Sequence, residues 1–517
     1  MKFKKSMTLI LVASMLVGSL ASCGNKKTSN AGSVDLDKYA DMDYDEASAA
    51  IYNDVLGDFY TAYQAAKEEN NVSVRYAKMA VAEAKLLETA VLIPTTSRGG
   101  NYSISRLAPY TVDYTLWGND NERFHQALVT TDPILSADRA EMKEKWGELK
   151  GTGTYLDWAR EYLAGKGYSL KESYAKGYVS DPVTWDVLAT SRAADSEAIV
   201  NTYDGLLEYD VEGILKPALA ESYEVSEDGL TYTFKLRSGA TWVDSQGRKV
   251  ADVTADDFVA GMQHMMDAMG GLEYLVSGVI VNADEYINGV ITDFSQVGVT
   301  AVDANTVEYK LLAPCPYFVT MLGYGVFAPM SRTYYESMGG KFGADYDASA
   351  ESYRYGKDPN SIAYCGPYLV TNATANSTIV FSANDSYWNK DNINVKTITW
   401  LFNDGSDPTK AYNDMLAGTI DGCGLGAAPL EVAKADGNFD KYGYISSTDA
   451  TSFCAFFNVN RQMYANFNDA NACVSTMTDE QRTNARVAMA NVHFRRALAY
   501  SLDRASYNAQ DVGEELK

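Results

Sequence analysis

The chain is 517 residues long, 46 % hydrophobic, and carries 68 acidic against 44 basic side chains, a formal charge of −24. That length has room for two or three domains with separate cores, and a surface this acidic repels phosphate backbones and anionic lipid, so no nucleic-acid partner is expected. His125, His264 and His493 are the only histidines and lie far apart in the sequence, so no metal, cofactor or catalytic residue is predicted.

Residues 1–22 read as an export signal. Lys2, Lys4 and Lys5 precede the apolar run MTLILVASMLVGSLA, which is too short for a comfortable membrane span. The run ends in Leu20-Ala21-Ser22-Cys23, which resembles the bacterial lipobox, where the cysteine is lipidated and becomes the new N-terminus. A plain secretory signal with a chance cysteine is the alternative. Residues 23–37, beginning GNKKTSNAGS after Cys23, read as a flexible polar tether. With Cys23 lipidated, Cys315, Cys365, Cys423, Cys454 and Cys473 remain, an odd number, so at least one thiol is unpaired or pairs outside the chain.

The spacing of Ile51, Val55, Phe59 and Ala62 predicts a helix over 43–69. Asp41, Asp43 and Asp45 ahead of it imitate a calcium loop, but Glu46 and Tyr52 stand where Gly and Glu are required, and helix capping explains the acids better. A second helix is expected over Ser73–Thr89, then a short strand, AVLIP (90–94), stopped by its proline. Residues 136–180, charged and glycine-broken, read as a surface linker.

From Asp181 the texture changes to alternating strands and helices. In EDGLTYTFKLRSGATW (227–242), Leu230, Tyr232, Phe234 and Leu236 share one face of a strand, and Asp228-Gly229 supplies a tight turn before it. VTADDFVAGMQHMMDAM (253–269) reads as a helix with Thr254 as N-cap and Asp257 at the third position. The helical spacing of its Phe258, Met262, Met265 and Met266 suits core packing better than a soft metal site. QVGVTAVDANTVEYKLL (296–312) is a second pair of alternating strands, and the whole reads as α/β.

Several blocks then carry a resemblance in a fixed order: IVNTYDGLLEYD (199–210), the hairpin followed by VTADDF, VGVTAVDANTVEYKLLAPCPYF, Gly366-Pro367-Tyr368, SYWNKDNINVKTITW, LAGTIDG, FFNVNR (456–461) and VHFRRALAYSLDR (492–504). Together they resemble the solute-binding lipoproteins of peptide-class (oligopeptide, dipeptide and nickel) ABC transporters, extracellular solute-binding protein family 5, over about 180–517. The resemblance implies a two-lobed periplasmic-binding-protein-like fold of type II, in its large three-domain variant. It places lobe I at 181–209 and 361–452, an extra domain at 210–360, and the start of lobe II at 453–517. In the family the chain continues past the block ending Ser501-Leu502-Asp503-Arg504, so lobe II is expected to be incomplete here. Residues 76–118 resemble the family's C-terminal return, permuted or duplicated into lobe I within the segment 38–135. On that reading Val91-Leu92-Ile93 lie beside a sheet containing 181–188; an unrelated helical extension is the alternative.

The resemblance implies a non-enzymatic, lipid-anchored, monomeric protein on the outer face of the bacterial membrane. It would capture short peptides by their main chain and deliver them to a permease and ATPase complex. By position in the family's pattern, Thr190, Ser191 and Arg192 would line the cleft and Tyr274 would reach toward ligand. Phe456 and Asn458 would stand at the crossing into lobe II. The acid that receives the peptide ammonium would lie beyond Lys517. The same fold also serves other solutes (sugar, metal chelate, signalling peptide), and a surface lipoprotein hydrolase is a more distant alternative.

Overall fold

The computed structural model describes residues 32–115, 118, 120–448, 450–459, 465–466, 469–473, 475–514 and 516. The expected signal and Cys23 lie outside the described residues. The chain divides into two units, Met1–Ser97 with Ser452–Asn508, and Arg98–Thr451 with Ala509–Lys517.

In the first unit the expected helices are Tyr44–Lys67 and Val72–Glu88, N-capped by Asp43 and Asn71, whose side chains accept from Glu46 and Val74 backbone N–H. The capping role of Asp43 matches the reading of its acidic run. Ala47, Ile51 and Val55 meet Val34, Tyr39 and Ala490 in a small core, so the chain is already packed at Val34, within the expected tether. Arg495, from the last matching sequence block, is fully buried. It donates to the carbonyls of Thr89, Ala90 and Met489. Free carbonyls at helix ends are natural partners for a cation.

Two expectations for this unit are corrected. The strand runs Leu92–Ser97, straight through Pro94, with a register shift between Pro94 and Thr96. A two-stranded ribbon leaves one edge of each strand unpaired, where the missing N–H of proline costs nothing. Its antiparallel partner is Ser452–Phe456, with Leu92 opposite Phe456, and not residues 181–188, which form no strand.

The second unit is built on three larger sheets. One is a mixed four-stranded sheet in the order Tyr368–Thr374, Thr378–Ala383, Thr397–Phe402, Ser173–Tyr178, its last two strands parallel. Another is antiparallel, in the order Val299–Asp303, Thr306–Lys310, Thr231–Leu236, Ala220–Val225. The third sets Tyr102–Ser105 between Gly422–Gly424 and Tyr444–Ile445. Of the segment resembling a C-terminal return, it is therefore Tyr102–Ser105 that joins residues from 361–452.

The hairpin forms as its alternation dictates. Tyr232, Phe234 and Leu236 are buried, and Gly229 takes a φ of +71° at the turn. Behind the sheet packs the helix Ala255–Ala268, closed by the capping box of Thr254 and Asp257, with Phe258, Met262, Met265 and Met266 in the core. Residues 136–180 are more than a linker. The helices Ser136–Leu149 and Tyr155–Gly165 bury Met142, Tyr155, Ala159 and Leu163 in a common core, and Ser173–Tyr178 belongs to the mixed sheet. Gly151 and Gly153, both at positive φ, make the turn between the helices, which is why the segment looks broken in sequence. Cys315, Cys365, Cys423 and Cys454 are free thiols.

Candidate ligand-binding site

The parallel strands Ser173–Tyr178 and Thr397–Phe402 run out at the same edge of their sheet. In open α/β sheets ligands collect beyond the carboxyl ends of parallel strands, so the segment leaving Tyr178 is the place to look. It is pinned first at Asp181, which accepts from Tyr178 Oη at 2.8 Å and Asn376 N–H at 2.7 Å. A short helical turn, Val187–Ala189, follows, with Asp186 accepting from Leu188 N–H at 3.1 Å. Thr190 and Ser191 then lead to Arg192, the N-cap of helix Ala193–Ile199.

Asp195 organises this corner. Its carboxylate is fully buried and accepts from Val183 N–H at 2.9 Å and Thr190 Oγ1 at 2.7 Å, with the Arg192 guanidinium at 3.4 Å. Thr190 is thus committed to the protein, whereas Ser191 and Arg192 are exposed. Gly270 and Gly271 bring a second loop against the first. A Cβ at Gly270 would stand 2.5 Å from the Ala189 carbonyl carbon and 2.7 Å from Thr190 N; at Gly271 it would meet Ser191 Oγ at 3.0 Å. Tyr274 follows on the turn Glu273–Leu275, 67 % exposed.

Between these loops lies a small pocket lined by Val187, Ser196, Val200, Tyr203, Leu272, Gly323, Tyr324 and Gly325. None of Thr190, Ser191, Arg192 and Tyr274 lines it, but all four stand on or beside the loops that supply Val187, Ser196 and Leu272. Phe456 and Asn458 belong to the other unit, where Phe456 ends the ribbon and is 76 % exposed. Tyr203, Leu272 and Tyr324 escaped the sequence reading. Tyr203 lies within the quoted block IVNTYDGLLEYD, while the glycines flanking Tyr324 look like any turn.

Beneath the corner, Asp186 also takes His264 Nε2 at 2.6 Å, both groups buried, the imidazole packed among Tyr335, Tyr346 and Tyr355. Burial pushes the Glu197 carboxyl up, and Glu122 adds to this, against Lys176 and Arg98. Asp204, raised by burial, has the Arg123 guanidinium at 3.8 Å. Asp113, His125 and Glu208 each offer a ligand atom within 4.8 Å of the others. Burial, with Arg123 adding, pushes His125 down to about 3, so its imidazole is neutral at pH 7. These three are the residues of the described chain that could hold a cation.

A family model described as "Bacterial extracellular solute-binding proteins, family 5 Middle" matches residues 215–514. The oligopeptide-binding protein SarA of Streptococcus gordonii is 36 % identical over 338 residues, 65 % of this chain and 48 % of that protein. The oligopeptide-binding protein AliB of Streptococcus pneumoniae is 34 % identical over 369 residues, 71 % of this chain and 53 % of that one. Among solved structures, Listeria monocytogenes OppA bound to peptide aligns with a TM-score of 0.45 at 24 % identity, covering 51 % of this chain and 48 % of that one. The chain spans about half the length of the curated relatives it matches.

Proposed function

The chain belongs to the bacterial extracellular solute-binding proteins of family 5, and from that premise we propose that it captures short peptides for an ABC importer. The observation that carries this reading is the match over 215–514 together with relatives named oligopeptide-binding at 34 and 36 % identity. Such a protein binds and releases its cargo unchanged, and needs no catalytic group.

In this reading the peptide lies extended across the exit of the parallel strands, held by main-chain hydrogen bonds as in strand addition. Ser191 and Arg192, exposed beside the buried Asp195 anchor, face it together with Tyr274. The small pocket between Tyr203, Leu272 and Tyr324 lies beside them. Lobe II, with Phe456 and Asn458, begins at 453, with lobe I at 181–209 and 361–452 and the extra domain at 210–360. The protein acts as a monomer, anchored through Cys23 on the extracytoplasmic face, and hands its cargo to the permease and ATPase.

A thermal-shift screen against pooled tripeptides to pentapeptides, sugars and metal chelates tests the assignment, because a ligand that binds only the folded state raises the melting temperature by mass action. Peptide pools should raise it and the other classes should not. A rise with a sugar or a chelate alone would replace the assignment with capture of that solute.

A further inference from the structure

We propose that Asp113, His125 and Glu208 form a binding site for one divalent transition ion of the zinc and manganese class. Each residue presents one ligand atom, and the three atoms lie within 4.8 Å of one another. An ion bound at about 2.0–2.2 Å draws its ligand atoms to roughly 3–3.5 Å apart, a contraction that side-chain rotation supplies. The backbone around the three is already fixed. Tyr114 N–H donates to Asp210 O at 3.0 Å, which ties Asp113 to the strand Leu207–Tyr209 that carries Glu208. Phe124 N–H donates to Asn201 Oδ1 at 3.1 Å, and the His125 carbonyl accepts from Asn394 N–H at 2.7 Å.

The independent pointer to a ligand is the imidazole. His125 is 1 % exposed, and neither ring nitrogen meets a hydrogen-bonding group among the described residues. Buried polar groups are ordinarily satisfied, and a ring nitrogen within 4.8 Å of two carboxylate oxygens is satisfied by a cation held among them. The donor set also selects the ion. Calcium and magnesium prefer all-oxygen sites, whereas imidazole with carboxylates suits zinc, manganese and their neighbours. Glu208 is only half-buried, which leaves a side for the ion to enter and for water to complete its shell.

The test uses the untagged protein, stripped with a chelator and titrated by calorimetry with Zn²⁺, Mn²⁺ or Ca²⁺ alone. The wild type should take up one equivalent of Zn²⁺ or Mn²⁺ in preference to Ca²⁺, with a higher melting temperature. Glu208→Gln and His125→Gln should each weaken binding by at least ~10–100-fold, the loss already seen when only an outer partner of a metal ligand is removed. His125 is buried, and its replacement also perturbs packing, so Glu208→Gln, checked by circular dichroism, decides. No stoichiometric uptake by the wild type overturns the site. So does unchanged affinity in folded Glu208→Gln, which would put the ion on the free thiols or on surface acids. Preference for Ca²⁺ would remove the imidazole from the ligand set and overturn it as well.

Discussion

Thr190 Oγ1 donates to the Asp195 carboxylate across 2.7 Å, and this bond ties the loop that carries Ser191 and Arg192 to the helix behind it. Asp195 is fully buried and also accepts from Val183 N–H, so its removal strands two donors at once. Asp195→Ala should cost ~2–4 kcal/mol in stability and Thr190→Val ~1 kcal/mol, since buried groups left unsatisfied bear the larger penalty. Urea denaturation midpoints with unchanged slopes would register both losses. An Asp195→Ala midpoint within error of wild type would refute the anchoring role.

Gly270 lets the loop of Tyr274 lie against the loop of Thr190. An alanine Cβ there would sit 2.5 Å from backbone carbon, and backbone, unlike the tip of a side chain, has nowhere cheap to go. Gly270→Ala should lose ~1–3 kcal/mol through this overpacking and shift the loops that frame the pocket. Gly57→Ala is the control: it lies mid-helix with nothing within 4 Å of the new Cβ, and should gain ~0.5–1 kcal/mol. Equal effects at the two positions would show that the close approach is of no consequence.

Glu212 ties the turn of Gly151 and Gly153 to the start of the helix Tyr155–Gly165. Its carboxylate accepts from the N–H groups of Gly151, Gly153 and Tyr155 at 2.6, 2.9 and 3.1 Å. Burial raises its pKa, but these N–H groups outweigh burial and hold it below the ordinary value of 4.5. A carboxyl with a depressed folded pKa stabilises fully above the unfolded value and loses that contribution as pH falls through the folded one. Glu212→Gln should therefore cost ~1–3 kcal/mol at pH 7, with the gap to wild type closing as pH drops below 4.5. A gap that stays constant down the acid limb would contradict the assignment of the ionised form.

What could be read in the sequence was whatever periodicity encodes. Tyr232, Phe234 and Leu236 announce a buried face by alternating, and Thr254 with Asp257 announces a capped helix, because both signals are local. Partnership is not local. Nothing in SYAKGY (173–178) says that it lies parallel to Thr397–Phe402, since alternation fixes which face is buried and not which strand is the neighbour. The register of Leu92 on Phe456 was hidden for the same reason, and Pro94 misled because its cost depends on whether the strand has a free edge. At the site, Ser191, Arg192 and Tyr274 were named by position in a pattern. The pocket's Gly323, Tyr324 and Gly325 carry no signal, and Asp113, His125 and Glu208 converge from distant parts of the chain.

The proposed anchor is checked by fractionation. With Cys23 lipidated, the processed protein should partition with membranes, and Cys23→Ala should be released or left as uncleaved precursor. Wild-type protein found wholly soluble after loss of residues 1–22 would dispose of the anchor.

Main-chain capture of short peptides is tested most directly by calorimetry with a panel of tripeptides that share a backbone and differ in their side chains. Backbone recognition in a wet, roomy site predicts affinities that agree within roughly tenfold, about 1.4 kcal/mol, across the panel. Arg192→Ala or Tyr274→Ala should weaken every member alike. Absence of binding to all the tripeptides, with a sugar or metal chelate bound in their place, would contradict the account.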